Sequence, residues 1–171
     1  MKSNVILIGM PSCGKSTVGV LLAKHLGYRF LDTDLLIQEN TDKRLHELIA
    51  EVGNAAFLDL ENRTLSALNA EKTVIATGGS AVYGREAMAH LREIGTVIYL
   101  KISYESMEAR LGDYRHRGVI LEEGETLRSL YDRRSVLYEQ YAHHVIDEEV
   151  CAGGIGETLE HTLELCLSLF S

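Results

Sequence analysis

Eight consecutive residues, Gly9-Met10-Pro11-Ser12-Cys13-Gly14-Lys15-Ser16, carry the strongest chemical signal in the chain. They fit the spacing G-x-x-x-x-G-K-[ST] and lie between an apolar run and a helical pattern, the setting in which this spacing binds phosphate. Glycines let the chain curl without a clashing Cβ, so that backbone N–H groups converge on phosphate oxygens. The N-terminus of the following helix adds its partial positive charge. Lys15 would reach the β- and γ-phosphates of a nucleotide, and the Ser16 hydroxyl would ligate Mg²⁺. We therefore expect Ser12, Cys13, Gly14, Lys15, Ser16 and Thr17 to hold ATP. Cys13 admits two readings, a thiol whose pKa is lowered beside a helix N-terminus or a tolerated spacer, and the spacer is the simpler one.

Two carboxylates follow a second strand-like stretch, in Phe30-Leu31-Asp32-Thr33-Asp34. Spaced two apart in an extended chain, they would point the same way. One can hold Mg²⁺ through its water shell while the other accepts a hydrogen bond from a substrate hydroxyl. Asp is equally a common helix N-cap, and Leu35-Leu36-Ile37 offers a helix to cap; a phosphate loop in the same sheet favours the site. Gly78-Gly79-Ser80 follows a third strand-like stretch, where paired glycines allow close backbone approach to a ligand or make a plain turn. Arg110, Arg115 and Arg117 form a basic segment with Gly112 and Gly118. Such a segment suits a mobile lid, over about residues 111–124, that brings an arginine onto a transferring phosphoryl group. Arg133 and Arg134 come later, ahead of Leu137-Tyr138. The seven histidines show no metal-ligand spacing.

Strands that end just before these residues would position them. Apolar runs at 5–8, 28–31, 73–76, 96–100 and, more weakly, 145–146 read as five such strands. Between them lie helical patterns. Val18, Leu21, Leu22 and Leu26 recur up to Gly27; Leu45, Leu48, Ile49 and Val52 form a stripe before Gly53. Phe57, Leu60, Thr64, Leu65 and Leu68 form another, and Leu159, Leu163, Cys166, Leu167 and Phe170 a third. Buried strands alternating with helices indicate an α/β domain with a parallel sheet, whose ligands sit beyond the carboxyl ends of the strands.

With 171 residues, 46% apolar and 25% charged, and a single proline, the chain reads as one domain over 1–171. A net charge of −8 argues against nucleic acid as a partner. No stretch approaches the roughly 20 apolar residues of a membrane span. Cys13, Cys151 and Cys166 are odd in number and lack metal spacing, and residues 1–4 run straight into a strand; both point to a reduced, cytoplasmic setting.

Taken in order, the phosphate loop, Asp32-Thr33-Asp34, Phe57-x-x-x-Glu61, Gly78-Gly79, the arginine-bearing segment and Arg134-Ser135-Val136-Leu137-Tyr138 resemble the shikimate kinase family over nearly the whole chain. The resemblance implies a P-loop kinase fold: a five-stranded parallel sheet of order 2-3-1-4-5 flanked by helices, with a substrate-binding segment over about residues 33–61 and a closing lid. It implies ATP and Mg²⁺ as cofactors, and transfer of the γ-phosphate to shikimate, giving shikimate 3-phosphate. On the family's pattern Lys15, Asp34 and Arg117 are catalytic. Asp34 would bind and activate the acceptor hydroxyl, Asp32 with Ser16 would support Mg²⁺, Arg110 would pack on adenine, and Arg117 would contact the ATP phosphates. Gly78, Gly79 and Ser80 would meet the substrate, and Arg134 would pair with its carboxylate. The expected partner is a small hydroxylated molecule, with the chain acting as a monomer.

Three positions depart from that pattern. Where the family has Phe-Arg-x-x-Glu, this chain has Phe57-Leu58-Asp59-Leu60-Glu61, so the arginine that would share the substrate carboxylate is Leu58. A charge-assisted hydrogen bond contributes about 1.5–3 kcal/mol, so its loss costs about one to two decades of affinity. The third glycine of the usual trio is Ser80, and the lid's Arg-Pro-Leu-Leu is Arg117-Gly118-Val119-Ile120. Two alternatives follow. One is a related kinase for a different hydroxylated metabolite, for which Leu58 is suitable. The other is a nucleotide-binding regulator without turnover, against which Lys15, Ser16, Asp32, Asp34 and Arg117 speak.

Overall fold

The computed structural model of the chain describes residues 3–112, 119–150 and 154–170. Arg115, Arg117 and Gly118, with part of the expected lid, lie outside the described residues, as does Cys151.

Strand β1 (Asn4–Ile8) is buried at every residue, which requires that both faces of its sheet be covered. It pairs in parallel with β3 (Thr73–Ala76) on one side and β4 (Gly95–Lys101) on the other. Strand β2 (Arg29–Asp32) adds to β3, and β5 (His144–Asp147) adds to β4. The order is β2-β3-β1-β4-β5, all parallel, as expected for a P-loop kinase fold. Asn4 locks the amino end of β1: its side chain donates to the carbonyls of Ala70 (2.6 Å) and Ile94 (3.0 Å) and accepts from the Thr73 N–H (3.0 Å).

Parallel neighbours need crossover connections, and helices supply them. Helix α1 (Lys15–Leu26) joins β1 to β2; α2 (Thr33–Thr41), α3 (Leu45–Val52) and α4 (Asn54–Ser66) lie between β2 and β3. A 3₁₀ turn (Ala81–Tyr83) and α5 (Arg85–Ile94) lead to β4, and α6 (Tyr104–Leu111) and α7 (Leu127–Tyr141) lead to β5. Helix α8 (Ile155–Phe170) returns to pack against α1. The main core surrounds the sheet, and a smaller apolar cluster of Ile37, Leu48, Phe57 and Ile120 joins α2, α3 and α4 to the segment before α7.

On two helices most of the expected apolar stripe packs against the core, but the most buried line runs slightly to one side of it. On α4 the buried positions are Phe57, Glu61 and Leu65, one per turn, while Leu60 and Thr64 are only partly covered. On α8 they are Thr158, Thr162 and Cys166, and Leu167 is half exposed. The two threonine hydroxyls donate to the carbonyls of Gly154 (3.2 Å) and Thr158 (2.6 Å), one turn back. With its polar atom satisfied locally, each side chain can bury its methyl group.

Candidate active site

Beyond β1 the chain curls through Gly9 (φ 150°), Ser12 (φ 65°) and Gly14 (φ 90°) before α1 begins at Lys15. A Cβ on Gly9 would stand 2.6 Å from the Leu100 carbonyl oxygen and 2.8 Å from Cys13 Sγ, so only glycine fits there. No side chain caps α1 at Gly14, and a helix N-terminus in that condition offers its N–H groups to an anion. Lys15 turns back into the loop: its Nζ donates to the carbonyls of Gly9 and Met10, both at 2.8 Å, and lies 3.6 Å from Cys13 Sγ. Cys13 is fully buried. Burial pushes its thiol up in spite of Lys15, so the fold does not produce the lowered thiol pKa considered for this residue. It is also more than a spacer, because it walls off Gly9 and braces Lys15.

Strand β2 ends at Asp32 and α2 starts at Thr33, so Asp32 and Asp34 do not share the extended segment expected of them. Asp32 divides its oxygens between two tasks. Its Oδ1 caps α2, accepting from the N–H groups of Asp34 (3.0 Å) and Leu35 (3.3 Å), while Oδ2 accepts from the Ser16 hydroxyl at 2.6 Å. Helix cap and site residue are thus one carboxylate. Asp34 enters the cavity from the first turn of α2. Burial, then the charge of Asp32, push its carboxyl up to about 6, with Lys15 opposing.

The 78–80 turn closes the other side. The Gly78 N–H donates to Thr33 Oγ1 at 3.1 Å, joining this turn to the start of α2. A Cβ on Gly78 would lie 2.5 Å from Asp34 Oδ1 and 2.8 Å from Glu61 Oε1. Gly78→Ala should therefore displace Asp34 and lower turnover by about 10²-fold, the usual cost of misplacing a reacting group by about an ångström. Nucleotide affinity, measured by calorimetry, should stay within about two-fold, since the phosphate loop is untouched. Arg134, 1% exposed, donates from Nε to the Tyr83 hydroxyl (3.1 Å) and from Nη2 to the Ile120 carbonyl (3.1 Å). Its guanidinium stacks 5.2 Å above the Tyr83 ring, and Nη1 reaches to within 2.9 Å of where a Cβ on Gly79 would be. These partners are neutral, so the charge of Arg134 stays available. The Tyr138 hydroxyl donates to the Gly79 carbonyl at 2.7 Å and steadies the turn.

At the far end, Arg110 pairs with Glu148 at 2.7 Å. The Glu148 side chain is 3% exposed and that of Arg110 43%, so the arginine is anchored from beneath and presents its outer part to the cavity. A single cavity of about 510 Å³ runs from Arg110 and Ile155 past the phosphate loop to Asp34, Gly79 and Arg134. Ser12, Gly14, Lys15, Ser16, Thr17, Asp32, Gly78 and Ser80 line it as well. Cys13 and Leu58 do not. Cys13 lies behind the loop, and Leu58 packs against the cluster of Ile37, Leu48, Phe57 and Ile120. The sequence offers no role for Glu148 or Thr33; Glu61 stands in the Phe57-x-x-x-Glu61 pattern, but its burial beside Asp34 and Arg134 emerges in the fold. The usable signal for that burial is its place midway between Phe57 and Leu65, at one-turn spacing on α4.

Comparison with known proteins agrees with this fold. A family model described as shikimate kinase matches residues 11–158. The chain is 42% identical over 161 residues to a shikimate kinase of Nostoc punctiforme, covering 92% of this chain and 84% of that one. It is 37% identical over 155 residues to shikimate kinase 2 of Yersinia pseudotuberculosis, covering 86% and 87%. Among solved structures, the shikimate kinase of Acinetobacter baumannii in complex with shikimate superposes with a TM-score of 0.88 at 30% identity, covering 98% of this chain and 94% of that one. The Aquifex aeolicus shikimate kinase gives 0.80 at 28% identity, covering 97% and 95%.

Proposed function

This chain belongs to the shikimate kinase family and is an ATP-dependent small-molecule kinase, and we propose that its acceptor is shikimate, phosphorylated at the 3-hydroxyl. The observation that carries this reading is the single cavity in which the phosphate loop, Asp34 and Arg134 meet. Lys15 and the N–H groups ahead of α1 hold the phosphates where negative charge concentrates during transfer. Ser16 Oγ and Asp32 Oδ2, 2.6 Å apart, fit Mg²⁺ as one hydroxyl ligand and one carboxylate that holds its water; the ion would supply charge neutralisation along the phosphates. Asp34 orients the acceptor hydroxyl. It takes the proton as the new P–O bond forms and the bond to the departing ADP oxygen breaks. A carboxyl pushed up to about 6 is still mostly ionised at neutral pH, and it is a stronger base than an ordinary aspartate.

Arg134 holds the acceptor's carboxylate at the opposite end. Arg110 borders the base and Arg117 meets the ATP phosphates, as the family's pattern suggests. Cys13 and Cys166 are both free and buried, which accords with a reducing compartment such as the cytoplasm.

One observation favours a different hydroxylated acceptor: Leu58 is apolar and lies off the cavity. ADP release, coupled to a spectrophotometric readout over shikimate and a panel of hydroxylated acids and polyols, decides between them. On the shikimate reading, Leu58→Arg adds a second cation for the carboxylate. It should lower the shikimate KM by about 10–100-fold, with kcat little changed, because a carboxylate remote from the reacting hydroxyl is bound alike in ground and transition states. No shikimate-dependent ADP release by either protein, with slow ATP hydrolysis still present, would assign the enzyme to another acceptor.

A further inference from the structure

Glu61 is the most buried carboxylate among the described residues, 1% exposed. It lies on the inner face of α4 between the buried, apolar Phe57 and Leu65. Its Oε2 accepts from the Ser80 hydroxyl at 2.6 Å, whereas Oε1 has no hydrogen-bond partner and lies with Asp34 Oδ1 against Gly78. From α2 it faces Asp34, and from α7 it faces Arg134. On its own helix the one cation, Arg63, is exposed and paired with Asp59. Helices α3 and α5 also pack on α4. Helix α3 carries His46, Glu47 and Glu51, and α5 carries Arg85, Glu86, His90, Arg92 and Glu93, of which Arg92 donates to the Tyr141 carbonyl. Glu47 accepts from the Arg44 N–H, Glu51 pairs with Lys43, Glu86 accepts from Asn62, and His90 meets the Leu68 carbonyl. Burial pushes the Glu61 carboxyl up to about 7; the Ser80 hydrogen bond opposes this, Asp34 adds to it, and Arg134 opposes it.

We propose that Glu61 is a proton-carrying specificity residue of the acceptor pocket: neutral, it leaves the field of Arg134 to the acceptor's carboxylate, and ionised, it weakens that hold. The inference rests on the reading of Arg134 as the carboxylate site. Binding and protonation are then linked in both directions, so an acceptor carboxylate bound at Arg134 raises the affinity of Glu61 for its proton by the same factor.

Two measurements test it on the intact protein. The first needs no substrate: ¹³C-carboxyl NMR of glutamate-labelled protein, with Glu61 assigned through Glu61→Gln, should show a midpoint near 7. A midpoint in the ordinary glutamate range, about 4.3, would overturn the proposal. Ser80→Ala removes a bond that favours the ionised form and should move the midpoint higher; a merely loosened pocket would admit water and move it lower. The second is the shikimate KM at saturating Mg·ATP, which should rise about ten-fold between about pH 6 and 8. Glu61→Gln should hold the low-pH value throughout, and an unchanged slope in that variant sinks the idea. If shikimate is not the acceptor, neither protein releases ADP with it, while the carboxyl titration still decides the state of Glu61. The two readings therefore fail separately.

Discussion

Lys15→Ala should transfer phosphate at least about 10³-fold more slowly than the parent protein, with an unchanged far-ultraviolet circular dichroism spectrum. Removing one preorganised donor from a site of developing negative charge costs about 10²–10³, and Lys15 is both the donor and the fixed charge of the loop. The fold should survive because the side chain bonds only within the loop, to the carbonyls of Gly9 and Met10, and no strand pairing depends on it. Lys15→Arg should not restore activity. The pocket formed by two carbonyls and the Cys13 sulfur fits a compact ammonium, and a planar guanidinium presents its donors differently. Normal turnover by Lys15→Ala would refute the assignment of the loop.

Asp34→Asn should lower turnover by about 10²–10⁴, the range for loss of a general base, and should leave ATP affinity nearly unchanged. The same substitution should raise the thermal midpoint at pH 8. The carboxyl's pKa is raised to about 6 from an ordinary 3.8, so the folded protein binds this proton more tightly than the unfolded chain does. Ionising Asp34 therefore costs stability, and the cost grows as pH rises from about 4 through 6. Asparagine escapes it, so the stability gain should be present at pH 8 and vanish toward pH 4. Capping of α2 belongs to Asp32, not Asp34, so equal losses of nucleotide binding and turnover in Asp34→Asn would contradict this assignment.

The phosphate loop is legible in the sequence because its geometry is local: two glycines, a lysine and a hydroxyl at fixed offsets, between a strand and a helix. The strands are legible because continuous apolar runs have few other uses in a domain of this size. Asp32 is only half legible. Sequence alone sets helix cap against site residue, and a carboxylate with two oxygens serves both. Glu61 is legible as part of the Phe57-x-x-x-Glu61 pattern, but its burial is not, because an apolar stripe is traced through apolar residues and a buried acid in register with Phe57 and Leu65 breaks the trace. The 148–110 ion pair and the placement of Leu58 away from the cavity depend on how separate elements pack, which no local spacing encodes.

The strand that carries the phosphate loop is first in the chain and central in the sheet. Val5 is aligned with Val74 and Asn4 with Gly95, so β1 must wait for more than half the polypeptide before it has both neighbours. Such non-local pairings repay their loop-closure entropy late, which makes them slow steps in folding. On the ribosome, where domains are made from the amino end at about 5–20 residues per second, an apolar β1 spends its first seconds unpartnered. The loop it leads into closes against the Leu100 carbonyl and so cannot take its final shape until β4 has been made. ATP can therefore bind only a nearly finished sheet, and it stabilises the completed domain without templating the early stages of its assembly.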